Sequence, residues 1–157
     1  MPVSSNVRPH MNDDDDFYLH VAYALSGCQL VEQELKLYIS EALEYVSKCV
    51  GKRLPFKMGG QDYEDSSLER LIDVFRKLTD NDSLVAELRK LKIERNFLSH
   101  KGISHCLDPM DELGSASMAE FAPRLKAIQA DANRLRMAIH DEGGSFKVHL
   151  YFGEFPE

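Results

Sequence analysis

The sequence predicts an all-α fold, a helical bundle of about four helices with a long first helix and a short C-terminal β segment. Three observations carry this expectation. Apolar residues recur at steps of three and four along most of the chain. Clusters of Gly, Pro, Asn and Ser interrupt that rhythm at only a few places. Strict alternation is confined to one stretch close to the C-terminus. At 157 residues the chain is long enough to bury a core without disulfides or metal, so residues 13–157 are expected to form one domain.

Residues 1–12 are rich in Pro, Ser and Asn without periodicity and read as a flexible tail. Asp13 to Asp16 read as an acidic helix start facing the positive end of the helix dipole, because a calcium loop would need spaced ligands and a glycine turn. From Phe17 to about Lys48, one stripe holds Val21, Leu25, Cys28, Leu35, Ile39, Ala42 and Val46, with Ser26-Gly27 as a bend point. Gly51 to Asp65 reads as a loop containing Pro55, Gly59 and Gly60. Ser66 and Glu69 have the spacing of a capping box for a short helix carrying Leu68, Leu71, Ile72, Phe75 and Leu78.

After Asn81-Asp82-Ser83, a third helix is expected from about Leu84 to Ser99, with Leu84, Leu88, Leu91 and Leu98 inward. Ser117 and Glu120 suggest another capping box before the stripe Met118, Phe121, Leu125, Ile128, Ala132, Leu135 and Ile139. Pro123 implies either a kink in this helix or its true start. Gly143-Gly144 should end it. Phe146, Val148, Leu150 and Phe152 then alternate with polar neighbours as in a half-buried strand, which would need a partner in Gly102 to Leu107 or in another subunit.

Composition narrows the function. The hydrophobic share of 43% and charged share of 29% are those of a soluble globular protein. No apolar run reaches membrane-spanning length, and the N-terminus lacks a signal-peptide pattern. Cys28, Cys49 and Cys106 form no metal-type pair, so a reduced, cytoplasmic chain is expected. His100, His105 and Cys106 have no recognised zinc spacing, and His20, His140 and His149 read as surface or partly buried residues. With no phosphate-cradling glycine loop and no nucleophile elbow, neither metal nor cofactor is expected.

The net charge of −7 argues against a broad nucleic-acid surface. One window runs the other way. Between Glu87 and Lys101, the cations Arg89, Lys90, Lys92, Arg95 and Lys101 face only Glu87 and Glu94, a local charge of +3. Cations also suit the last turns of any helix, so charge alone does not mark a site.

Two interruptions of the apolar stripes are more specific. Between Cys28 and Leu35 the inward position falls on Glu32, unless the stripe shifts by one to Val31 and Glu32 only flanks it. Between Leu91 and Leu98 it falls on Arg95. A buried acid requires a partner, and opposite charges on two helices answer each other, whether as a structural ion pair or as part of a site. Five residues advance an α-helix by about 140°, so His100 shares the face of Arg95 only if the helix changes near Gly102. Asn96 and His100, four apart, do share a face.

Arg95-Asn96-Phe97-Leu98-Ser99-His100 resembles the R-x4-H motif of HEPN domains, including the polar residue after the arginine. The resemblance spans Asp13 to Ile139, with residue-level identity confined to the motif. It implies a helical bundle, commonly dimeric, of the kind found in toxin–antitoxin, phage-defence and RNA-processing proteins. It further implies a metal-independent endoribonuclease in which Arg95 and His100 of two subunits meet in one cleft. In that reading RNA is the substrate, the chain is a homodimer, and a cognate antitoxin or regulatory protein is a further partner. Asn96 orients the histidine or the phosphate, Glu32 supports Arg95, and Lys92 and Lys101 contact RNA. His100 acts as base or as acid, since histidine is the side chain that titrates closest to neutrality. Several HEPN toxins have a tyrosine two residues beyond the histidine. Here Gly102 stands in that place, so nucleotidylation of that tyrosine is not carried over. The alternative is a non-catalytic HEPN-like dimer that binds RNA or protein.

Overall fold

A computed structural model describes residues 13–102 and 115–157, with side chains from 16 and from 121 onward. The expected 1–12 tail, His105, Cys106 and the strand partner sought in Gly102 to Leu107 fall wholly or mostly outside those residues. Among the described residues the chain is mostly helical, 82%, without strands. Its α-helices are α1 (Asp13–Val50), α2 (Leu68–Phe75), α3 (Asp82–Phe97), α4 (Ser115–Glu142) and α5 (Gly144–Phe152).

The long first helix is the spine. Its buried line runs through Val21, Ala24, Cys28, Val31, Leu35, Ile39 and Ala42. Val31 is fully buried, so the stripe takes the shifted register and Glu32 flanks it rather than interrupting it. The Ser26-Gly27 pair does not end the helix. A Cβ on Gly27 would lie 3.1 Å from that of Ala132, so the glycine lets α4 approach closely. Gly51, at φ +58°, provides the left-handed residue that terminates α1, and the 3₁₀ turn Gly51–Arg53 follows.

α1 and α4 make the most extensive helix contact and run parallel, for Gly27 meets Ala132 and Glu34 meets His140. α3 runs antiparallel to both, pairing Glu87 with Arg134 and Glu94 with Arg124 along α4. α2 folds back on α3 through Glu69–Lys92 and Asp73–Arg89. The caps lie slightly off their sequence positions: Ser67, not Ser66, accepts from the Arg70 amide, and Asn81 accepts from the Leu84 amide. Asn81 also donates to Glu142 at 3.0 Å, and Thr79 donates to the other oxygen of the same carboxylate. α4 is already helical at Ser115, so Ser117 is not its cap and Pro123 lies within it.

The C-terminal β segment is overturned. Residues 144–152 form α5, and its geometry accounts for the alternating pattern. Phe146 and Leu150 are four apart, so they share one helix face as readily as one strand face, while Val148 and Phe152 are exposed. Gly143 keeps helical φ and ψ (−71°, −13°), and its carbonyl accepts from the Lys147 amide. A helix satisfies its backbone internally, which an unpaired strand does not. Phe146 stands edge-on to Tyr38, while Lys147 and Tyr151 both reach Glu41 on α1.

Candidate functional site

The C-terminal part of α3 passes directly into a π-helical turn, Leu98–Gly102, which carries the histidine of the motif. A π turn is wider than an α turn, so residues five apart lie closer to one face than in an unbroken α-helix. Ser99 donates its hydroxyl to the Arg95 carbonyl at 3.1 Å, a back-bond that competes with the regular α ladder at this point. Leu98 and Gly102 pin the turn to the core, with Val21 packed 3.5 Å from where a Gly102 side chain would begin. His100 and Lys101 face outward.

Arg95 and Glu32 come together as the interrupted stripes suggested, at 3.4 Å between Nε and Oε1. Their burial is unequal. The Glu32 side chain is 17% exposed and that of Arg95 39%, so the arginine does not occupy a core position between Leu91 and Leu98. Among the described residues the buried Glu32 Oε1 makes no hydrogen bond, so its contact with Arg95 is an ion pair rather than a fork. One turn earlier on α1, burial pushes the Cys28 thiol up to about 11, with the Glu32 charge adding to the rise and Arg95 opposing it. The thiol is therefore a packed, protonated group at neutral pH.

The remaining motif residues divide. Asn96 is exposed on the same helix. Lys92 is held by Glu69 at 2.9 Å, whereas Lys101 remains outward beside the apolar hollow formed by Phe17, Phe97, Phe121 and Leu125. That hollow belongs to a cluster the sequence reading missed. Arg124 grips Glu94 through two hydrogen bonds of 2.8 and 3.0 Å and lies 3.7 Å over the Phe97 ring, which stacks on Phe121. Phe97 sits inside the motif, and its aromatic character was the only signal available. Among the described residues no group of three or more His, Cys, Asp and Glu side chains is placed to hold a metal ion. Among the described residues no helix is long and apolar enough to cross a membrane.

Fold and site thus define a helical bundle with an anchored arginine and an outward histidine joined by a π turn at the end of α3. Comparison with family models, with curated proteins and with solved structures finds no match for the chain.

Proposed function

We propose that the protein is a metal-independent endoribonuclease of the HEPN type, working as a homodimer whose two R-x4-H segments share one RNA cleft. The observation that carries this reading is the state of Arg95. Glu32 fixes it from the Nε side, yet two-fifths of the side chain stays open to solvent. A guanidinium held in place but accessible suits a scissile phosphate, whose growing negative charge it would stabilise in the transition state.

In this mechanism the 2′-oxygen of the substrate attacks phosphorus and the bond to the 5′-oxygen breaks. One His100 takes the 2′-hydroxyl proton and the His100 of the second copy returns a proton to the leaving oxygen. The products are a 2′,3′-cyclic phosphate and a 5′-hydroxyl. Asn96 lies on the same helix and orients the imidazole or the phosphate, and Lys101 meets the flanking backbone.

Two observations favour the second reading, a non-catalytic helical dimer that binds RNA or protein: the net charge of −7 and the engagement of Lys92 by Glu69. One assay separates them. Purified protein is incubated in chelator with an RNA and with DNA of the same sequence. The ribonuclease cuts only the RNA, leaves cyclic phosphate ends, and loses activity in His100→Ala. Binding without cleavage establishes the second reading, and equal cutting of DNA excludes a 2′-hydroxyl mechanism.

A further inference from the structure

The outer flank of α1 carries a row of side chains that the other described residues leave largely exposed. Leu19, Tyr23, Leu30 and Leu37 expose 40%, 49%, 50% and 47% of their surface. Ser26 and Gln33, also exposed, fill the places between them. The positions 19, 23, 26, 30, 33 and 37 follow steps of four and three, the spacing of a coiled-coil seam. The same steps result when the row is read backwards about the level of Cys28.

Charge says what fits there. From Phe17 to Val31 the chain has no Asp, Glu, Lys or Arg, in a protein whose net charge is −7. Two copies repel one another over an acidic surface, and an uncharged flank lets them meet without like-charge contact. Towards α4 the row borders a groove of about 230 Å³ lined by Tyr23, Ser26, Leu30, Gln129, Asn133 and Arg136. There the Arg136 Nε is buried without a hydrogen-bond partner among the described residues, so a second surface bringing an acceptor would satisfy it. The four apolar side chains present roughly 350 Å² per copy, in the size range of functional surface patches. With the polar residues around them, two copies approach the ~1,200 Å² at which specific interfaces begin.

We infer that two copies of this chain associate through this flank of α1, running antiparallel, with Leu19 of one against Leu37 of the other and Ser26 against Leu30. A two-fold axis lying across α1 reverses the helix direction but keeps the flank. The inference rests on the row alone and holds even if the ribonuclease reading fails.

Sedimentation velocity across the micromolar range tests it on the full chain. The parent should sediment as a dimer that does not weaken with added salt, because no ion pair holds the seam. Leu30→Glu and Leu37→Glu should each give a folded monomer by circular dichroism, while Ile93→Glu, on an exposed apolar residue of α3, should remain dimeric. A monomeric parent, or dimers persisting in both seam variants, overturns the proposal. For direction, Leu19→Cys and Leu37→Cys chains lacking Cys49 and Cys106 are mixed and oxidised. A disulfide between the two species is expected, and linkage only within each species would make the pairing parallel. An inactive dimer would count against the ribonuclease and leave the seam standing.

Discussion

Breaking the Glu32–Arg95 pair offers the sharpest test of how α1 supports the motif. A fully buried pair losing one partner is destabilised by about 3 to 5 kcal/mol, and an exposed pair by about 0 to 1. With Glu32 at 17% exposure and Arg95 at 39%, the pair lies between those limits. Arg95→Leu leaves a mostly buried carboxylate without its cation and should lower stability by about 1 to 2 kcal/mol. Glu32→Leu leaves an arginine that can extend into water and should lower it by less, about 0.5 to 1 kcal/mol. The double variant should recover part of the loss, giving a coupling energy of about 1 kcal/mol. Urea unfolding of the four proteins at pH 7 measures each value. Additivity within about 0.3 kcal/mol would refute the reasoning, because the two side chains would then not sense each other.

Replacing His100 by Ala should abolish cleavage while shifting unfolding free energy by less than about 1 kcal/mol, as expected of an outward side chain, and a folded variant of full activity would remove His100 from the site. Because burial holds the Cys28 thiol at about 11 against an ordinary 9.0, the unfolded chain loses this proton first. Stability contributed by Cys28 should therefore be present below pH 9 and fall by roughly 2 to 3 kcal/mol as pH rises towards 11. Comparing alkaline denaturation with that of Cys28→Ala isolates the effect. Asn81→Ala removes the α3 cap and one hydrogen bond to Glu142, so a loss of about 1 to 2 kcal/mol should appear in thermal melts. Gly27→Leu should disrupt the approach of α4, with a loss on the order of 1 to 3 kcal/mol, and an unchanged melting temperature would mean that α1 and α4 are not in close contact there.

The helices were legible wherever burial on one face imposed a period. The stripes of α3 and, from Leu125 on, of α4 were read directly, because an apolar residue every third or fourth place has little other use, whereas in α1 Ala24 and Val31 take core places that the sequence assigned to Leu25 and left open at Glu32. Glu32 was harder. Val31 and Glu32 are adjacent, and only the packed helices show that valine takes the core position while the carboxylate leans towards Arg95. α5 was misread for a definite reason: Phe146 and Leu150 satisfy both a two-residue and a four-residue rhythm, and nine residues are too few to separate them. The π turn was foreshadowed only by Gly102, which the sequence marks as a place where the helix changes without saying how. Arg124 and Phe121, remote from the motif in sequence, were invisible as its neighbours until α4 was laid beside α3.

The parallel course of α1 and α4 has a consequence for how the chain reaches this shape. Gly27 finds Ala132 and Glu34 finds His140 only after more than a hundred intervening residues have been made. During synthesis the 38-residue first helix therefore emerges long before its principal neighbour. α2 and α3, joined by a short turn, can pair locally, but one side of α1 must wait for the last third of the polypeptide. Closing so distant a contact makes folding slower than in a bundle of sequential hairpins and prolongs the time for which an apolar helix is open to wrong partners.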